Sequence, residues 1–155
     1  MRRLALALTL AATPALADNP RAQMFPSDAS CYLRQYDAAH LAGHPDQMVT
    51  MIALGPDQGN WEADVLVLKI AVQLRDSLEL FQSYAYCDAE GGLLACQLEG
   101  DGGGFHLKPH AKGLFMMVGE EALGFEGADG FVTFGGGFTD DAAFILPPVP
   151  ADSCP

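Results

Sequence analysis

Basic residues are scarce in this chain: 8 Lys and Arg stand against 20 Asp and Glu, a formal charge of −12 with histidines neutral. A surface with that balance repels phosphate backbones and anionic lipid headgroups, which excludes nucleic acid and membrane surfaces as partners. Long apolar runs are missing too. No segment after the N-terminus approaches the roughly 20 uncharged residues of a membrane helix, so membrane insertion is not expected. The common catalytic signatures G-x-S-x-G, H-E-x-x-H and C-x-x-C do not occur. The run Glu99-Gly100-Asp101-Gly102-Gly103-Gly104 is no dinucleotide loop, because Phe105 to Pro109 starts a strand where that motif needs a helix. It supplies oxygen atoms, as do Glu120-Glu121 and Asp140-Asp141, but neither calcium-loop pattern is present and the run reads as an acidic turn. No cofactor is implied.

What is present begins with an export signal. Met1, Arg2 and Arg3 precede an apolar run from Leu4 to Ala12 and an A-x-A site at Ala15 to Ala17. Residues 1–17 are therefore expected to be a signal peptide, cut before Asp18. Its removal takes Arg2 and Arg3 and leaves 6 basic residues against 20 acidic ones, a balance of −14. The expected location is periplasmic or secreted. Four cysteines in an exported chain imply two disulfides.

One pairing follows from local pattern. Phe81 to Leu98 reads as a β-hairpin turned at Gly91-Gly92, where glycine supplies the positive φ of a tight turn. That register sets Cys87 opposite Cys96 at a non-hydrogen-bonded position, close enough to bridge. Cys31 is left to join Cys154, closing a loop of more than 100 residues worth about 4 to 5 kcal/mol on the chain-entropy model. The alternation also sorts faces. Phe81, Ala85, Cys87, Leu94, Cys96 and Leu98 share the apolar one, and Gln82, Tyr84, Tyr86, Asp88, Glu90, Gln97 and Glu99 share the wet one.

Along the chain, residues 18–30 read as a flexible leader, with two prolines and no periodicity. Residues 31–155 read as one β domain. A short strand at Cys31 to Tyr36 leads to a turn or two of helix at Asp37 to Gly43, capped by Asp37, the single helical signal after the export segment. Strands are expected at 47–54, 64–74, 105–109, 114–118, 122–126, 131–134 and 142–146, with glycine at nearly every break. Leu66, Leu68, Ile70, Val72 and Leu74 form an unbroken apolar face that must line the core. Turn signals at this spacing predict an all-β fold, a small antiparallel meander barrel or sandwich of about eight or nine strands with one short N-terminal helix. The tail 147–155, rich in proline, is expected to lie extended until Cys154 anchors it.

Candidate functional residues fall in two groups. Tyr84 and Tyr86 on the hairpin's wet face, with Tyr32 and Tyr36 expected outward near the N-terminus, are aromatic side chains with polar tips suited to protein or sugar contacts. The four histidines come as His40/His44 and His106/His110. On a helix this spacing puts two imidazoles on one face, but Gly43 ends the helix before His44, so that pair need not converge. In a strand four residues span about 13 Å, too far for His106 and His110 to hold one ion. A zinc or copper site needs a tertiary meeting of the two regions. Met48, Met51, Met116 and Met117 form no M-x-M array and read as core filler.

Three functional readings follow. The first is an exported non-catalytic binding domain that engages a basic protein or small ligand, with an inhibitor of a basic cell-wall enzyme fitting charge, compartment and size. The second is a periplasmic metal-binding protein using the histidines. The third is a hydrolase without a recognisable motif; no catalytic residue is nominated.

Overall fold

The computed structural model describes residues 19–128 and 130–155; the predicted signal segment 1–17 lies outside the described residues. Among the described residues no helix is long and apolar enough to cross a membrane. The described residues form eleven strands: β1 Cys31–Gln35, β2 Val49–Pro56, β3 Leu66–Leu74, β4 Leu80–Glu90, β5 Leu93–Leu98, β6 Gly104–His110, β7 Gly113–Val118, β8 Leu123–Gly127, β9 Gly130–Phe134, β10 Ala143–Leu146 and β11 Pro148–Val149. Nine make one antiparallel sheet in the order β10-β7-β6-β5-β4-β3-β2-β1-β11, and β8 pairs with β9 alone. Both disulfides join the expected partners, Cys31 with Cys154 and Cys87 with Cys96.

The sheet nearly closes on itself because its two edges are consecutive in the chain. β10 lies against β7 and β11 against β1, with only Pro147 between them. The tail expected to lie extended on the surface is thus the closing strand. Proline has no N–H to donate, but its carbonyl still accepts, and Leu33 N donates to Pro147 O at 3.1 Å. The result is an all-β meander barrel.

The hairpin has the expected register, with Cys87 opposite Cys96 and Tyr86 opposite Gln97. Gly91 alone of the turn pair has positive φ, +61°, as a type II′ turn requires. The apolar face of β4 and β5 joins that of β3 in the core, with Phe105, Leu107, Met116 and Phe144 from later strands. Val67 and Ala71, on the opposite face of β3, are also buried. Ala71 lines an outer cleft whose other wall is the tail residues Ala151, Cys154 and Pro155.

Both ends of the barrel are stopped. Residues 18–30, expected to be a flexible leader, instead contain a helix, α1 Pro20–Met24. The Asn19 side chain accepts from Ala22 N at 3.2 Å, and Pro20 occupies the first turn, where its missing N–H costs nothing. Met24 and Phe25 are buried in the core. Arg21 holds the helix against the β2–β3 connection by donating to the carbonyls of Trp61 and Ala63. A second helix, α2 Ala38–Gly43, lies where expected, with Asp37 accepting from His40 N at 2.7 Å. At the opposite end from α1, the β8–β9 hairpin turns Leu123, Phe125 and Phe134 into the barrel. Side chains fill the interior.

Candidate functional site

With the interior packed, the surfaces left for recognition lie outside, and the pairing of strands decides which side chains reach them. Partners directly opposite in an antiparallel ladder point the same way. Across β3, β4, β5 and β6 the outward rows read Lys69, Tyr84; then Val67, Tyr86, Gln97, Gly104; then Asp88, Ala95, His106. Tyr84 and Tyr86 are 38% and 48% exposed, as the alternation predicts.

Tyr32 and Tyr36 go the other way. Tyr32 lies opposite Leu54 and Arg34 opposite Ile52, both core residues, so this face of β1 is the inner one. Tyr32 packs edge-on against Phe25, ring centroids 5.6 Å apart, and its hydroxyl donates to Met24 O. Tyr36 packs against the core from one side. Burial raises both phenols above their ordinary pKa; for Tyr36 the Arg34 guanidinium opposes that rise. Alternation shows which residues share a face but not which face turns inward, and here Cys31 and Leu33 took the outside, beneath the tail.

The outward face carries a shallow cleft of about 520 Å³. Its floor is made of small residues from neighbouring strands, Ala95 and Gly104, with Gly119 just past β7. Gly119 N donates to Gly104 O at 2.9 Å, so the backbone continues where side chains are missing. One wall is Tyr86 and Asp88; the other is Glu120 and Glu121. Gln97 is pinned within it, donating to Gly103 O at 2.7 Å. His106 stands at the rim, 3.8 Å from the Glu90 carboxylate. Three carboxylates and a phenol around an open floor suit a cation with an apolar stem, which the ring covers while the acids take the charge.

The histidines do not assemble. His44 lies past the end of α2, yet its ring stacks on His40 with centroids 4.1 Å apart, and His40 stacks in turn on Tyr36 at 4.5 Å. Sequence left open whether this pair converges; here the backbone beyond Gly43 curls back, and His44 Nδ1 lies 2.9 Å from His40 O. His40 Nε2 is engaged by Gln47 Oε1 at 3.0 Å. His110 faces Lys112 N at 3.1 Å. Among the described residues no three His, Cys, Asp or Glu side chains form a group able to hold a metal ion.

Glu120 and Glu121, noted from sequence only as oxygen-bearing, lie in a connection whose position beside Tyr86 depends on the sheet order. Small residues at Ala95 and Gly104 on a face otherwise rich in Tyr, Gln and Asp were the available signal for a depression. Comparison with protein-family models, with curated proteins and with solved structures found no match.

Proposed function

We propose that this chain is an exported, non-catalytic binding domain that holds a basic segment of a partner protein against the outer face of β4 to β7. What supports the reading most is one observation: exposed Tyr86 lines a cleft walled by Asp88, Glu120 and Glu121 on a strongly acidic molecule, with Tyr84 exposed two residues away on the same outer face. Tyrosine supplies contact area at low entropic cost, and complementary charge speeds encounter and selects basic partners. Two formed disulfides fit an oxidising compartment outside the cytoplasm, in keeping with the predicted signal segment.

A fluorescent lysine-rich peptide titrated at low salt tests it, with a neutral glutamine-rich peptide as control. The expected result is selective binding that is lost near about 0.5 M salt, weakened about tenfold by Tyr86→Ala, and weakened again by Glu120→Gln with Glu121→Gln. Equal binding of the two peptides, or affinity unmoved by these substitutions, would sink the proposal.

A further inference from the structure

A second cleft of about 520 Å³ lies where the β8–β9 hairpin meets the barrel wall. It exists because β4 outruns β5. Their pairing stops at Ala85 with Leu98, and Glu99 N donates to Tyr84 O at 2.9 Å as the chain leaves. From Ser83 back to Leu80, that edge of β4 has no strand partner among the described residues. Carbonyls two residues apart on a strand point the same way, so Gln82 turns its carbonyl to the side on which Tyr84 meets Glu99. Three carboxylates, Glu99, Asp101 and Glu126, surround this opening, and Phe131 forms its rim.

Acidic residues on a surface explain nothing by themselves, but Ser83 does not belong to a solvated turn. It is only 9% exposed and lines the cleft, and its hydroxyl has no hydrogen-bond partner among the described residues. No buried side-chain oxygen or nitrogen in the described structure is both sealed off and unpaired, so this hydroxyl opens toward the cleft. The cleft is therefore rich in acceptors: three carboxylates, a strand carbonyl and a hydroxyl that can accept as well as donate. A bare metal ion does not fit it. Calcium needs six or more oxygens at about 2.3 to 2.6 Å from one point, and no such carboxylate group converges here. An organic cation, with several N–H groups spread over its head, does fit.

We propose that this cleft anchors one cationic side chain, a lysine ammonium or an arginine guanidinium, from the basic partner. The inference deepens the binding-face reading and rests on it for the source of the side chain. The ammonium or guanidinium lies among Glu99, Asp101 and Glu126, donates to the Ser83 hydroxyl and the Gln82 carbonyl, and rests its methylene stem on Phe131.

The test is amide NMR of the disulfide-intact protein titrated separately with the methylamides of acetyl-lysine, acetyl-arginine and acetyl-norleucine, and with Ca²⁺. Saturable shifts are expected at Ser83, Glu99, Gly102, Gly124 and Glu126 with lysine or arginine, and none there with norleucine. The stronger of the two cations identifies the head group. Ser83→Ala and Glu126→Gln should each weaken that binding about tenfold. Asp28→Asn, in the cleft beside the tail, should leave it unchanged. Shifts confined to Tyr86, Asp88 and Glu120 would overturn this inference while leaving the binding face standing. Shifts in the Ser83 cleft with no binding of the lysine-rich peptide would do the reverse. Saturation of the same amides by Ca²⁺ at lower concentration than either amine would also overturn it.

Discussion

Asp141 is the residue on which the loop after β9 depends. Only 2% exposed, it accepts from Met48 N at 2.7 Å and from Val49 N at 3.2 Å, fastening that loop to the start of β2. Burial raises its pKa above the ordinary carboxylate range; the two N–H bonds and the Arg75 guanidinium oppose the rise, while the neighbouring Asp140 adds to it. Asp141→Ala leaves both N–H groups without their acceptor and should cost about 2 to 4 kcal/mol, read from urea denaturation. The pH dependence has an unusual sign for a carboxylate. The folded state takes up the proton before the unfolded state does, so this stabilisation is fullest below the ordinary carboxylate pKa. It is lost as pH rises through the raised folded value. The stability gap between the native protein and Asp141→Ala should therefore widen between about pH 7 and about pH 3. A gap that narrows on acidification would refute the assignment.

Among the elements, the two disulfides act at very different ranges. Cys87–Cys96 spans a separation of 9 and lies within a hairpin whose turn already fixes the register. Cys31–Cys154 spans 123 and ties the tail to β1, beside the strand that closes the barrel. On the chain-entropy model the first is worth about 3 kcal/mol and the second about 5. Replacing Cys31 and Cys154 by serine should lower the melting temperature more than the same change at Cys87 and Cys96, by calorimetry; the reverse order would mean the tail does not hold the barrel shut. Gly113, at the β6–β7 turn, has φ +129°, and a Cβ there would collide with the Leu146 carbonyl and press on Pro147 and Pro148. Gly113→Ala should thus loosen the same closure.

The hairpin was legible in advance because every part of it is local: paired glycines, two cysteines at matching distances from the turn, and a period-two pattern. The helix α1 was not. Five residues are too few for a helical period to show, and its stability comes from Met24 and Phe25 entering a core built by distant strands. Tyr32 and Tyr36 show the same division, since alternation grouped them correctly and only pairing with β2 turned them inward.

At the scale of the whole molecule, net charge acts on every part of the surface at once. Twenty acidic residues against 8 basic ones repel one another across a small barrel, and among the described residues the one close ion pair, His106 with Glu90, offsets little of it. Added salt screens that repulsion, so melting temperature should rise between about 0.02 M and about 0.5 M sodium chloride while binding of basic peptides falls. A melting temperature that drops with salt would mean that attractive pairs outweigh repulsion.

Residue pattern alone determined the all-β class, the hairpin register, both disulfide pairs and the acidic character, because each depends on neighbours in sequence or on simple counting. Tertiary structure alone decided that the tail closes the barrel, that two of four tyrosines turn inward, and that Glu120, Glu121 and Glu126 border clefts with residues of β4. Those outcomes depend on which strands end early and which edges meet, and such contacts form between segments far apart in the chain.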